Sequence, residues 1–223
     1  MTSISRRAVR TIFRRRLPGL LLVAGLSGCV SAENPPEPPF DDTVAEFHET
    51  LDEAQAGGDP DLLRRLRLRL DALDKESPGM RAAILSELPR FERLPLSERR
   101  EVAMKRVESD SEEMVRYEAL RALIAMRGAE AREACRLVLT ARDRLTGLLA
   151  ESAPEVRAEA ARGLGVFAAE DDVAVLVATL EDPVPWVRVH AQLALMKIAG
   201  GEKAETPAQW KSWYERRYYE RRR

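Results

Sequence analysis

The sequence contains few of the residues from which metal and catalytic sites are usually built. Only two cysteines and two histidines occur in 223 residues, and aromatic residues make up 5%. This scarcity argues against a metal site and against a disulfide framework. The sequence also contains neither a glycine-rich phosphate loop nor a serine elbow. We therefore expect no enzymatic activity, no metal and no cofactor.

Charge is distributed unevenly along the chain. The first 28 residues contain six arginines and no acid, which leaves 30 basic and 37 acidic residues, a net charge of −7, in the remainder. Nucleic-acid binding normally requires a basic face, so we expect no nucleic-acid partner. The apolar residues, 45% of the chain, are mostly Ala, Leu and Val, which favours packed helices over a β-sandwich.

The amino-terminal segment has the pattern of an export signal. Six arginines precede an apolar stretch from Leu17 to Leu26, which is followed by Ser27, Gly28 and Cys29. About ten apolar residues are too few to span a bilayer, which requires ~20. The segment resembles a bacterial lipoprotein signal peptide over residues 1–28. The resemblance implies cleavage between Gly28 and Cys29 and attachment of lipid to the Cys29 thiol.

A lipid anchor at Cys29 implies a place in the bacterial cell envelope, on the extracytoplasmic side of a membrane. Residue 30 is Val instead of Asp, which in a Gram-negative host favours the outer membrane. The export route stays open, because Arg6-Arg7 also resembles a twin-arginine signal, although ordinary secretion is favoured. Lipidation would leave Cys135 unpaired, and we interpret it as a small buried apolar residue.

Residues 29–43 form a proline-rich tether. Four prolines, at positions 35, 36, 38 and 39, occur in this segment, which has no periodic apolar face. Such segments favour the extended polyproline conformation, at ~3.1 Å per residue. We expect the tether to reach roughly 40 Å from the lipid surface.

One pattern recurs four times in the remaining chain. It is anchored on Met80, Val115, Val156 and Val187, each followed by arginine, at intervals of 35, 41 and 31 residues. Two residues before these anchors stand Pro78, Glu113, Pro154 and Pro185; four after them stand Ile84, Ala119, Ala160 and Ala191; eight after them stand Leu88, Leu123, Leu164 and Leu195. The pattern predicts an all-α fold in which helical hairpins stack as a short α-solenoid over residues 44–200, with the leucines buried.

These hairpins resemble HEAT-like repeats, also called phycobilin-lyase-type repeats. The resemblance implies ion pairs between repeats, with Asp110, Glu151 and Asp182 as acids and Arg116, Arg157 and Arg188 as bases. It also implies a surface for protein binding. The repeat type includes pigment lyases, so a lyase or another enzyme acting on an unknown ligand stays an alternative.

Paired acids precede several of the expected helices. Glu112-Glu113 and Asp171-Asp172 stand where helices should begin, and acids there are favoured by the helix dipole. We interpret them as helix-capping residues. His48-Glu49 resembles the His-Glu ligand pairs of HEAT-like iron hydroxylases, but it occurs once, so we expect no metal site.

Residues 201–223 are predicted to form a capping helix and a basic tail. Thr206-Pro207 has the pattern of a helix start, and Trp210 and Trp213 follow on one helical face. We expect both tryptophans to pack on the helix at 187–198, because the end of a solenoid needs a cover. The alternative is that Trp210 and Trp213, together with Trp186, are interaction residues.

The sequence therefore predicts a membrane-anchored, monomeric module that binds an unknown protein partner of the envelope and carries out no catalysis. In a second alternative the protein is a structural envelope component whose basic end, Tyr218 to Arg223, contacts anionic lipid.

Overall fold

The computed structural model describes residues 43–56, 60–141, 153–202 and 204–220, and in these ranges all regular structure is helical. This confirms the all-α prediction. The α-helices of the described chain are α1 (Val44–Gln55), α2 (Pro60–Asp71), α3 (Pro78–Glu87), α4 (Leu96–Ser109), α5 (Glu113–Met126), α6 (Ala129–Thr140), α7 (Pro154–Phe167), α8 (Val173–Thr179), α9 (Pro185–Ile198) and α10 (Pro207–Glu220). Short 3-10 turns lie at Leu73–Lys75, Leu88–Arg90 and Glu170–Asp172.

Four helices begin where the repeat pattern places a helix start. Pro78, Pro154 and Pro185 are the first residues of α3, α7 and α9, and Glu113 is the first residue of α5. Proline suits the first helical position because its ring presets φ and its missing N–H would have no helical acceptor there. Proline therefore sets the same boundary in three of these helices, and α5 begins at the equivalent position with Glu113.

The helices form two packed rows. Helices α3, α5, α7 and α9 contact one another in that order, and we name them the anchored row because each contains one repeat anchor. Helices α4, α6, α8 and α10 form the second row, and the pairs α4 with α5, α6 with α7 and α8 with α9 pack as hairpins. Helix α1 packs on α2 and α3 at the start of the described chain. This architecture is that of a HEAT-like helical solenoid.

The core lies between the two rows and is built from the recurring positions. Leu123, Leu164 and Leu195 are fully buried, as predicted, and so are Ala119, Ala160 and Ala191 one turn before them. Small residues allow neighbouring helices to approach closely. The backbones approach closely at Gly165 of α7, where an added Cβ would lie 2.9 Å from the Cα of Ala194 in α9.

The last part of the described chain folds as the sequence predicts. Gly200 and Gly201 have φ values of 69° and 95°, which glycine adopts readily, and Gly201 donates its N–H to the carbonyl of Met196 at 2.8 Å. Thr206 then caps α10, because its Oγ1 accepts the N–H of Gln209 at 3.2 Å.

The leader and nearly all of the tether, residues 1–42, lie outside the described residues, so these boundaries stay predictions. Among the helices that the structure does describe, none combines the length and the apolar character that crossing a membrane requires. The 41-residue repeat interval contains α6, and its residues 142–152 also lie outside the described part.

Candidate interaction face

The four repeat anchors are core residues. Met80, Val115, Val156 and Val187 expose 4% or less of their surface. Their role is to hold each anchored helix in the stack, and any binding surface must be built from other positions.

Ion pairs between repeats fix the spacing of the anchored row. Arg81 donates from Nε and Nη2 to the two carboxylate oxygens of Asp110, at 3.0 and 2.9 Å. Arg157 makes the same pair of bonds to Asp182, at 2.8 and 3.0 Å. Both carboxylates are buried, with 3% of each side chain exposed. Each pair therefore joins one anchored helix to the loop that precedes the next.

The same acids also organise the loop to which they belong. Asp110 Oδ1 accepts the N–H of Glu112 at 3.1 Å, and Asp182 Oδ1 accepts the N–H of Val184 at 2.9 Å. Arg188 donates to the carbonyl of Asp182 at 2.7 Å. The pairing implied by the repeat resemblance is thus present for Arg157 with Asp182, while Glu151 lies outside the described residues.

In the same way Arg116 donates to the main-chain carbonyls of Asp110 and Ser111, at 2.8 and 3.0 Å. The carboxylate of Asp110 is bound by Arg81 of the repeat before it. Arg116 and Arg188 therefore hold the loop backbone, and the arginine of the preceding repeat holds the acid.

Asp172 has a different role from the predicted one. Its side chain makes no capping hydrogen bond at the start of α8. Instead it is fully buried and accepts from Nε of Arg132 at 2.7 Å and Nε of Arg136 at 2.5 Å. The hydrogen bond that Arg132 donates to Asp172 raises the pKa of Arg132 above its usual value. Asp172 therefore links α6 to α8. The interpretation as a helix cap did not anticipate this link, because both arginines are distant in sequence.

Away from the second row, α5 and α7 each carry a charge pair whose arginine reaches solvent. Arg121 donates to both carboxylate oxygens of Glu118 at 3.1 Å, and Arg162 donates from Nε to the buried carboxylate of Glu159 at 2.7 Å. The hydrogen bond that Arg162 donates to Glu159 raises the pKa of Arg162. Arg121 and Arg162 line a shallow groove of about 360 Å³ that also includes Ser86 of α3. Both arginines lie six residues after an anchor. We use the name free face for the surface of the anchored row that carries these positions and points away from the second row.

Helix α9 presents apolar residues on the free face. Leu193 lies six residues after its anchor, as Arg121 and Arg162 do, and it is 48% exposed. Trp186 and Val189, at the i−7 and i−4 positions from Leu193, are 50% and 55% exposed. Residues at this spacing share one side of a helix, so the three form a continuous stripe, which we name the α9 stripe.

A strained backbone lies at the edge of the groove. Arg127 has φ 55° and ψ −173°, a region that non-glycine residues rarely adopt, and Gly128 follows with φ 110°. Arg127 is exposed and lines the groove beside Arg121. Sequence reasoning did not identify it, although Arg-Gly between two helices was a visible signal of a tight turn.

Trp210 and Trp213 lie in the core. Trp210 is fully buried and donates its indole N–H to Oε1 of Gln192 in α9 at 3.0 Å, while Trp213 is 7% exposed. The two rings meet edge to face with centroids 5.8 Å apart. Neither ring is accessible to a partner, because both are buried where α10 packs on the rest of the domain. Trp186 alone of the three candidate tryptophans is exposed.

The two cysteines differ in what the structure describes. Gly28 and Cys29 lie outside the described residues, so cleavage and lipidation stay predictions. Cys135 is buried between α6 and α7, close to Gly163, and burial raises the pKa of its thiol far above the usual value. The thiol is therefore unreactive.

His48 lies beside Glu87, with Nδ1 3.5 Å from Oε1, and its ring meets the edge of Phe47. Within the described ranges, no group of three or more His, Cys, Asp and Glu side chains is arranged to hold a metal ion.

Comparison with known protein families matches residues 141–208 to HEAT repeats. A search of curated proteins gave no match. The matched segment contains α7, α8 and α9, which are the helices with the inter-repeat pair Arg157 to Asp182 and the α9 stripe. Residues 141–208 therefore match HEAT repeats, and the described part of the chain is a helical repeat scaffold, a type of fold that commonly mediates protein interaction.

Proposed function

We propose that this protein is a lipid-anchored interaction module of the bacterial cell envelope, which binds a protein partner on its free face. Lipid on Cys29 would hold the chain at a membrane, and residues 29–43 would separate the repeats from the lipid surface. The repeat scaffold would then present one preformed surface to proteins in the same compartment.

The observation that carries the proposal is the α9 stripe. Trp186, Val189 and Leu193 are each about half exposed on one side of one helix. Single exposed apolar residues are common on soluble proteins, but contiguous ones mark binding surfaces. Tryptophan is also the residue most enriched among the side chains that dominate binding energy.

The surrounding structure supports a surface that is ready to bind. The buried pair of Arg157 with Asp182 fixes α7 relative to the loop before α9, and the contact of Gly165 with Ala194 sets the distance between the helices. A partner would therefore meet a face whose helices are already in position. Preformed surfaces bind more tightly because less conformational entropy is lost on association.

A contact with lipid through the basic carboxyl end has less support. Arg217 donates from Nε to Glu170 at 3.2 Å and lies over the ring of Trp213, with 5.8 Å to the centroid. This side chain contributes to the attachment of α10 but precedes the basic end, whose residues 221–223 lie outside the described part, so the lipid contact stays a prediction.

The interaction is tested by placing a photo-reactive amino acid at Leu193 of the full-length chain in its native membranes. We expect a discrete protein adduct, identified by mass spectrometry and then reconstituted from purified components. The matched control carries the same group at Glu133, an exposed residue of α6 in the second row. Equal crosslinking at both positions, or none at Leu193, would contradict the assignment of the free face.

The anchor is tested separately with Cys29→Ser. We expect the protein to lose its lipid mass and its retention in the membrane fraction. Cys135→Ser is the control, because it removes the other cysteine without touching the leader and should leave retention unchanged. If Cys29→Ser is retained with unchanged mass, the protein is not held by lipid at this residue.

A further inference from the structure

We propose that the α9 stripe is occupied by the α9 stripe of a second copy of this chain, in an antiparallel pair related by a twofold axis. The inference rests on the proposed function, because it names the partner of the same face. It is carried by the order of apolar and charged residues along α9 and α7.

The apolar residues of the stripe complement themselves when two copies of α9 run antiparallel. In the register that centres the pair between positions 189 and 190, Trp186 faces the partner's Leu193. A large ring thus lies against a smaller side chain at both ends, and Val189 lies beside the twofold axis. In this register each indole ring covers the partner's Leu193, whereas a register that paired the two tryptophans would leave both copies of Leu193 uncovered.

Charge selects the antiparallel arrangement. Glu155 of α7 stands directly before its anchor, as Trp186 does in α9, so the two lie side by side at one end of the stripe. Lys197 lies at the other end, on the side facing α7, because an added Cβ at Gly165 would be 3.7 Å from its Cδ. Both are exposed, and neither has an ion-pair partner among the residues that the structure describes.

Reversal of one copy therefore brings Lys197 next to the partner's Glu155, and symmetry produces this contact twice. A parallel pair would instead place Lys197 at the same end as the partner's Lys197, and it would leave Glu155 without a basic residue opposite it, because a twofold axis along α9 puts the two α7 helices on opposite sides. Helix α9 has no acidic residue, so the acid must come from α7. Like charges in contact oppose association, and opposite charges set its register.

The association is weak in dilute solution and is strengthened at a membrane. Three half-exposed side chains cover far less than the ~800 Å² per partner of a standard stable interface. Anchored copies share a thin layer at the membrane surface, which raises their effective concentration without any new contact. The monomer expected from the sequence is then the state of the dilute protein, and the pair forms on the membrane.

The test uses Val189→Cys in the full-length chain, in native membranes, with mild oxidation. A disulfide-linked dimer is expected, because position 189 lies beside the twofold axis. The control is Glu133→Cys, exposed on the second row, which should stay monomeric. Cys135 is present in both proteins and is buried with a raised thiol pKa, so it adds no background difference. A dimer yield no higher than that of the control overturns the proposal.

Charge reversal within the Val189→Cys protein tests the register. Glu155→Lys and Lys197→Glu should each slow dimer trapping about five-fold, since each disrupts two exposed pairs. The protein with both changes should regain the original rate, because the pairs reform with exchanged signs. Unchanged trapping in the single variants, or no recovery in the double variant, refutes the antiparallel arrangement; melting curves confirm that each variant is folded.

The outcome also separates this inference from the function on which it rests. A hetero-adduct at Leu193 without a Val189→Cys dimer means that the free face binds another protein and that self-association is wrong. Absence of both means that the face does not bind, and both proposals are then wrong.

Discussion

The free face differs between the middle of the anchored row and its last helix. On α5 and α7 the positions three and six residues after the anchor are occupied by Glu118 with Arg121 and Glu159 with Arg162, which are ion pairs. On α9 the same positions carry His190 and Leu193. The core positions of these three helices do not differ in this way, since each has a buried valine anchor, alanine and leucine.

This contrast separates the residues that build a repeat from those to which we assign the proposed function. The pair of Glu118 with Arg121 is the more exposed one, and exposed ion pairs contribute little stability, because water screens them and ordering two long side chains costs entropy. Replacing such a pair by His and Leu should therefore cost the fold little. The same replacement changes a charged surface into an apolar one without altering the buried positions.

The largest expected effect separates the buried tryptophan from the exposed one. Trp210→Ala should reduce the free energy of unfolding by ~3–5 kcal/mol, because it empties a fully buried site and removes the partner of Gln192. Trp186→Ala, matched in chemistry but half exposed, should cost about 1 kcal/mol or less. Urea unfolding of both variants measures the difference, and equal costs would show that α10 is not a cap.

The buried and exposed ion pairs should differ next. Asp182→Ala removes a buried carboxylate that accepts hydrogen bonds from Arg157 and from the N–H of Val184, at a cost of about 3 kcal/mol. Glu118→Ala removes one member of an exposed pair and should cost under ~1 kcal/mol. Thermal unfolding at low and high salt is the measurement. A comparable loss in both variants would mean that burial does not distinguish the two pairs.

A smaller effect is expected where α7 and α9 approach closely. Gly165→Ala places a Cβ 2.9 Å from the Cα of Ala194, and the resulting shift of α7 against α9 should cost ~1–3 kcal/mol. Gly79→Ala adds a Cβ that meets nothing within 4 Å, and should be neutral or stabilise by up to ~1 kcal/mol. The unfolding midpoints of the two variants measure this difference in stability. An unchanged midpoint for Gly165→Ala would refute the close contact.

The smallest change in stability is expected from converting α9 to the pattern of its neighbours. His190→Glu with Leu193→Arg recreates the pair found on α5 and α7, and the free energy of unfolding should change by less than ~0.5 kcal/mol. Binding should nevertheless be lost, measured as photo-crosslinking from Val189. Retained binding in a folded double variant would show that the contrast along the free face has no functional meaning.

Much of the fold was predictable because the repeat pattern is local and periodic. Prolines two residues before the anchors, and leucines eight residues after them, set where helices begin and which residues are buried. Such predictions need no knowledge of distant contacts, since a helix start depends on adjacent residues and burial follows from the helical period. Thr206 capping α10 belongs to the same class.

The candidate site was less predictable. The packing of Trp210 and Trp213 on the helix at 187–198 was predicted and is confirmed, whereas nothing in the sequence showed that Trp186 alone of the three tryptophans is exposed. Asp172 was interpreted as a helix cap, but it is the partner of Arg132 and Arg136, about 40 and 36 residues away. The exposure of Trp186 and the role of Asp172 depend on which helices pack together, and local pattern does not show this.

The sequence by itself determined the helical periodicity, the helix starts and the recurring core, while the lipoprotein leader stays a prediction. These depend on interactions between residues a few positions apart, which are also close in space. Only the tertiary structure decided which charged residues are buried in pairs, which tryptophan faces solvent, and that three apolar residues of α9 remain uncovered. Those properties depend on the packing of helices that are far apart in the chain. Which helix covers a given side chain cannot be read from the residues next to it in the sequence.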